Sequence, residues 1–251
     1  MKILPPQTFA DLVGFERNWT LSAHSNDLET HGTTVISLRY DGGVLTLADR
    51  RATMSNLIMY DQADKIMSLD DRTVVAISGS FARSIEVCRM LKHSFKYYER
   101  MYLTEMSADG KVQEVSRALA NNLPMAMQGV GLFLPILSIY NPEDGQFQIF
   151  FFDSAGAKFA SANYAAAGSG SERIRGVMEY LSRTEKPWAS RKMEDVLHQG
   201  LMMLDIAADL DSATGGFSKI APMVQVLDKN GTRPLDGGVL AKAIARISPK
   251  S

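Results

Sequence analysis

Beyond residue 33 the chain alternates groups of short strand-like runs with pairs of long amphipathic ones. That order limits its fold more than any other feature of the sequence. Val35–Tyr40 and Val44–Arg51 flank an Asp41-Gly42-Gly43 turn. Lys65–Leu69 and Thr73–Ser78 flank Asp70-Asp71, so both pairs predict hairpins. From Phe81 to Tyr102, Ile85, Cys88, Leu91, Phe95 and Tyr98 recur at helical spacing. Asp109-Gly110 reads as a break. A second helix is expected over 112–128, distorted by Pro124. Strands are expected over 132–140 and 146–152, around the Asn141–Gly145 turn, with Pro135 marking a bulge or an edge. A weaker strand follows over 159–167, then helices over 171–183 and 190–209. A strand over 223–227 ends at the Asn230-Gly231 turn, and a short helix covers 238–247. Strand groups alternating with helix pairs predict an α+β domain with two stacked sheets and helices on both outer faces.

No Ser/Gly-rich linker interrupts 33–251, so one domain is expected there. Residues 1–32 differ: two prolines, scattered apolar residues (Phe9, Leu12, Val13, Phe15, Trp19) and a mostly polar run from Ser22 to Thr30. They read as a tail or as a removable leader. A net charge of −1 and no basic tract argue against nucleic-acid binding. No run of about 18 apolar residues predicts a membrane span, and Met1–Pro6 lack the apolar centre of a secretory signal. A single cysteine, Cys88, excludes an internal disulfide and suits a reducing compartment, so a cytoplasmic protein is expected. Cys88 itself reads as a buried hydrophobe.

The chemically unusual stretch is His31-Gly32-Thr33-Thr34, at the mouth of the first strand. Threonine is a weak nucleophile that needs a base beside it. A cut between Gly32 and Thr33 would supply one, the new α-amine of Thr33 itself. Such an amine has an ordinary pKa of about 7.7–8.0 and can exchange a proton near neutrality. Asp49 ends the second strand and Lys65 begins the third, where a hairpin could bring both to Thr33. They are either an activating charge pair or two surface charges. Gly79 sits between a strand and a helix, either as a simple turn or with a backbone N–H free to face an oxyanion. Gly168-Ser169-Gly170-Ser171 is a turn before a helix, and without a lysine it is no P-loop. Asp211-Ser212-Ala213-Thr214-Gly215-Gly216 looks like helix C-terminal turn chemistry. The four histidines (His24, His31, His93, His198) lack ligand spacing. No metal and no cofactor are expected.

Taken together, Gly32-Thr33-Thr34, Ala48-Asp49-Arg50-Arg51-Ala52-Thr53, Asp64-Lys65, Ser78-Gly79, Gly168–Ser171 and Asp211–Gly216 resemble the β subunit of the bacterial 20S proteasome, with ungapped spacing from Thr33 to Gly79. The resemblance implies the four-layer αββα sandwich of the N-terminal-nucleophile hydrolases and a threonine endopeptidase exposed by autocleavage after Gly32. Residues 1–32 are then a propeptide. It further implies that Thr33 is the nucleophile, Asp49 and Lys65 the activating pair, Gly79 the oxyanion donor, and Ser169 and Asp211 the groups that steady the α-amine. Thr214 stands where many members carry serine. Ala52, Thr53, Ala63, Met67, Ile77 and Phe81 fall where the family lines its substrate groove, and their apolar character implies cleavage after apolar residues. The implied partners are proteasome α subunits, further β subunits in seven-membered rings, an ATP-driven unfoldase ring and unfolded protein substrates. A non-catalytic ring subunit of the same fold has no need of Thr33, Asp49 and Lys65 together. Other N-terminal-nucleophile hydrolases, a simpler two-ring ATP-dependent peptidase or a small-molecule amidase, are the further alternatives. The Asp49-Arg50-Arg51 run and the length of chain beyond Thr33 fit the two-ring peptidase less well.

Overall fold

Along the first strand, β1 (Thr34–Tyr40), side chains point alternately to two different cores. Ile36, Leu38 and Tyr40 join one apolar cluster, and Val35 joins another. A strand buried on both faces must be covered by a layer on each side, and this is what the computed structural model shows. It describes residues 32–54, 57–217 and 220–247. Apart from Gly32, residues 1–32, expected as a tail or a leader, lie outside the described residues.

β1 pairs antiparallel with β2 (Gly43–Ala48), with Val35 opposite Ala48 and Tyr40 opposite Gly43 across the expected turn. After β2 the chain forms a small separate hairpin, β3 (Ala52–Met54) and β4 (Leu57–Tyr60). It then builds the second sheet from β5 (Ile66–Asp70), β6 (Thr73–Ala76), β7 (Ile136–Asn141), β8 (Gln146–Phe152) and β9 (Lys158–Ser161), in that spatial order. The first sheet is completed by β10 (Tyr164–Gly168), β11 (Met223–Asp228) and β12 (Gly231–Pro234), in the order β10-β1-β2-β11-β12.

Two helices, α1 (Phe81–Tyr102) and α2 (Ala108–Met127), cover the outer face of the second sheet. Val87, Cys88, Leu91 and Phe95 of α1 and Val112, Val115 and Leu119 of α2 meet Val75, Ile77, Leu137 and Ile139 there. Three more, α3 (Ser171–Thr184), α4 (Met193–Leu210) and α5 (Gly237–Ile247), cover the first sheet. Trp188, fully buried in a short 3-10 turn, anchors that layer beside Leu197, Leu201 and Leu204. Between the sheets lie Val35, Val44, Ala48, Ile66, Val74, Ile136 and Leu227. The layers therefore run helix, sheet, sheet, helix, the αββα sandwich expected.

The departures are local. Asp109-Gly110 does not break a helix; it lies in the first turn of α2, where the Ser107 hydroxyl accepts the Gly110 N–H at 3.2 Å. Pro124 sits inside α2 without ending it, and Pro135 precedes β7. The strand expected over 159–167 is two strands, β9 in one sheet and β10 in the other. The chain changes layers between Ser161 and Tyr164, where Asn163 accepts the Arg39 N–H.

Candidate active site

Asp49 leaves the end of β2 with its carboxylate turned inward and 1% exposed. Four donors fill it. Oδ1 accepts the Thr34 N–H at 2.8 Å and the Lys65 ammonium at 2.7 Å. Oδ2 accepts the N–H groups of Arg51 and Gly215, both at 2.9 Å. Lys65, just ahead of β5, is equally buried. Desolvation pulls its pKa below the ordinary lysine value, while the charge and hydrogen bond of Asp49 pull it back up. The same Nζ donates at 3.2 Å to the carbonyl oxygen of Gly32.

That carbonyl also accepts the Thr33 hydroxyl at 2.6 Å. The Thr33 side chain and the Lys65 ammonium thus converge on the peptide bond between Gly32 and Thr33. Gly32 is hemmed in: a Cβ there would collide with Thr53 Oγ1 and come within 2.8 Å of Ala213. Thr33 is itself 5% exposed and is followed directly by β1, which is clamped between β10 and β2. At the end of β10, Gly168 has φ +97° and lies so close to Thr33 that a Cβ would strike its carbonyl oxygen.

A second carboxylate, Asp211, caps the end of α4 beside the same strand. Its Oδ2 accepts hydroxyl bonds from Ser169 and Thr214, both at 2.6 Å, and its Oδ1 accepts the Ala213 N–H at 3.3 Å. Burial pushes the Asp211 pKa up, but these donors and the charge of Arg173 outweigh it and hold it below the ordinary value. Ser169 Oγ also lies 3.5 Å from the carbonyl oxygen of Thr33. Ser169 and Asp211 therefore meet beside Thr33, and the hydroxyl of Thr214 takes part.

Gly79 has φ +97° and forms a bridge with Phe133 in which the flanking residues carry the bonds, Ser80 N–H to Leu132 and Leu134 N–H to Ser78. Gly79 is thus the non-hydrogen-bonded partner of that bridge, and its N–H is not spent on it. Of the residues expected to line a groove, Thr53 lies against Gly32, and Ala63 donates its N–H to the Arg50 carbonyl at 2.9 Å. Met67 and Phe81 are half-buried against the cluster that holds Ile77, and Ala52 pairs with Tyr60 in the small hairpin. Among the described residues no group of three His, Cys, Asp or Glu could hold a metal ion, and no helix is long and apolar enough to cross a membrane.

Sequence reasoning missed three participants. Arg51 donates from Nε to Asp61 at 3.1 Å and from Nη1 to the carbonyls of Ser212 and Thr214, tying the base of the small hairpin to the Asp211 turn. Thr34 contacts both carboxylate centres, through its N–H and through a 2.7 Å contact of its hydroxyl with that of Thr214. Gly170 leaves room for that contact. The Gly/Ser spacing around 168–171 hinted at the last; nothing local hinted at the others, whose partners lie far along the chain.

A protein-family profile described as "Proteasome subunit" matches residues 29–221, more than half of the chain. A "Proteasome subunit beta" of Acidothermus cellulolyticus is 36% identical over 228 residues, covering 86% of this chain and 76% of that protein. Proteins of the same description from Streptomyces griseus and Jonesia denitrificans are 34% and 31% identical. They cover 82% and 89% of this chain and 72% and 73% of their own lengths.

Proposed function

The chain belongs to the proteasome subunit family, with bacterial β subunits as its relatives, and on that premise we propose that it is the proteolytic β subunit, a threonine endopeptidase whose nucleophile is Thr33. The observation that carries this reading is the convergence on one carbonyl. The Thr33 hydroxyl lies 2.6 Å, and the Lys65 ammonium 3.2 Å, from the oxygen of Gly32, with Asp49 holding the lysine.

In leader release, Thr33 Oγ bonds to the Gly32 carbonyl carbon while Lys65 stabilises charge on its oxygen. The bond from that carbon to the Thr33 nitrogen breaks, and the hydroxyl proton passes to the departing amine. Water then hydrolyses the resulting ester, freeing residues 1–32 and the α-amine of Thr33. In substrate cleavage that amine takes the Oγ proton as Oγ attacks the substrate carbonyl and returns it to the leaving amine. Water then hydrolyses the acyl ester to free the second product and restore the Thr33 hydroxyl. The unspent N–H of Gly79 would face the oxyanion. Ser169, Asp211 and Thr214 would hold the α-ammonium, a role suited to a carboxylate kept ionised by its donors. Assembly would place this subunit in seven-membered β rings beside α rings and an ATP-driven unfoldase, in the cytoplasm, acting on unfolded chains. Ala52, Thr53, Ala63, Met67, Ile77 and Phe81 would line the groove and favour cleavage after apolar residues.

Intact-mass measurement of the purified chain, with and without Thr33→Ala, tests the reading. Loss of residues 1–32 in the wild type alone is expected; equal processing in both would point to another protease. Fluorogenic peptides ending in Leu, Tyr, Arg and Glu test the preference, and faster cleavage after Arg or Glu would refute it.

A further inference from the structure

We propose that Thr34 is a positioning residue for Asp211, its hydroxyl heading a one-way chain of hydrogen bonds that fixes the orientation and charge of that carboxylate. The proposal rests on the peptidase reading above and names a residue that reading does not use. Thr34 is fully buried and Thr214 is 1% exposed, so neither hydroxyl has water to fall back on. Their oxygens are 2.7 Å apart, a separation that by itself leaves the donor open.

Counting protons closes the question. Thr214 Oγ1 also lies 2.6 Å from Asp211 Oδ2. An ionised carboxylate can only accept, and a hydroxyl has one proton to give. Thr214 therefore spends its proton on Asp211, and the proton between the two threonines belongs to Thr34. The direction is fixed: Thr34 to Thr214 to Asp211. A donor that is itself hydrogen-bonded at its oxygen is a stronger donor, so each link polarises the next.

Two further features single this chain out from an ordinary buried threonine contact. A Cβ on Gly170 would collide with Thr34 Oγ1 and come within 2.7 Å of Thr214 Oγ1, so the turn before α3 leaves space for this one meeting of hydroxyls. Thr34 is also anchored from the other side, its N–H bonded at 2.8 Å to Asp49, the partner of Lys65. One residue, adjacent to the nucleophile, thus links the two carboxylate centres, by backbone to one and by side chain to the other.

Besides Thr214, Asp211 faces the Ser169 hydroxyl and Arg173 from the α3 side and feels Lys65 at the head of β5. Its own turn is held by the Arg51 guanidinium through the Ser212 and Thr214 carbonyls. None of these is altered by T34V, which keeps the shape of the side chain and removes only its hydroxyl. In the full-length Thr33→Ala precursor, the carbon-13 resonance of the Asp211 carboxyl is titrated with and without T34V. The midpoint is expected to rise by about half a pH unit or more and to return with T34S. An unchanged midpoint in T34V, or an equal shift in T34V and T34S, overturns the proposal. Thr214→Val cuts the chain one link later, so T34V added to it should produce no further shift; an additive shift overturns the proposal as well. In the mature particle, T34V should move the acid limb of kcat/KM upward by the same interval and lower kcat about three- to tenfold with little change in KM. The titration needs no turnover. A wild type without peptidase activity would therefore sink the proposed function while leaving the hydrogen-bond chain separately testable.

Discussion

Gly32 has no spare volume for a side chain, and under the proposed mechanism this makes the residue before Thr33 sensitive to substitution. With Thr53 Oγ1 and Ala213 already occupying the place a Cβ would take, a methyl group is expected to force the carbonyl away from the Thr33 hydroxyl. Gly32→Ala is expected to slow leader release on the order of tenfold or more, the equivalent of about 1.4 kcal/mol in the barrier, with intact mass against time as the measurement. The charge pair gives a second prediction. The Lys65 pKa is held below the unfolded value, so its ammonium is lost as pH rises through the folded pKa, and activity should fall there. Between the folded and unfolded values the unfolded chain binds more protons, so stability rises with pH across that window. Asp49→Asn removes the partner that raises the lysine. The basic limb of leader release should move to lower pH, and the folded state should lose about 3–5 kcal/mol as a buried charge is orphaned. Denaturant unfolding and processing rates against pH check both. Asp49 and Lys65 could be nominated from the sequence because strand ends and hairpins are local features. Arg51 and Thr34 could not, because their roles depend on Thr214, 163 and 180 positions away, reaching the same corner.

At the scale of elements, legibility follows burial pattern. The first helix, α1, runs over Phe81–Tyr102 as its apolar spacing predicts, because one face meets a sheet and the other meets water. The small hairpin escaped notice for the opposite reason. All four residues of β4 are exposed although all are apolar or aromatic, so no alternation betrays the strand. The break between β9 and β10 is equally silent, since Phe159 to Ala167 reads as one run and only the stacking of two sheets divides it. The layer over the first sheet depends heavily on Trp188, which is fully buried, while the Arg191 guanidinium lies 3.9 Å from its ring centroid. Arg191 also donates to the Lys186 and Leu181 carbonyls and to Gln199, so it ties the loop between α3 and α4 together. Trp188→Ala should cost about 3–5 kcal/mol, read as a lower denaturant midpoint in the Thr33→Ala precursor.

For the whole molecule, the family to which the chain belongs forms rings of many subunits, and the far end of α1 carries the surface that suits such contacts. Tyr97, Met101, Tyr102 and Leu103 are 61–90% exposed, and Leu103 also sits at φ 54°, a left-handed conformation that a leucine rarely adopts. Strain and exposure at one residue are both unfavourable for an isolated subunit. Leu103→Gly should therefore raise the thermal midpoint of the unassembled precursor, by relief of about 1 kcal/mol of strain, yet weaken ring assembly as followed by native mass or sedimentation. Cys88 has a different consequence at this scale. It is the only cysteine in 251 residues, 1% exposed on the buried face of α1, with burial pushing its thiol up to about 12. The thiol of the folded subunit is therefore silent toward maleimides, so a cysteine introduced on its surface would carry a fluorophore or spin label without background.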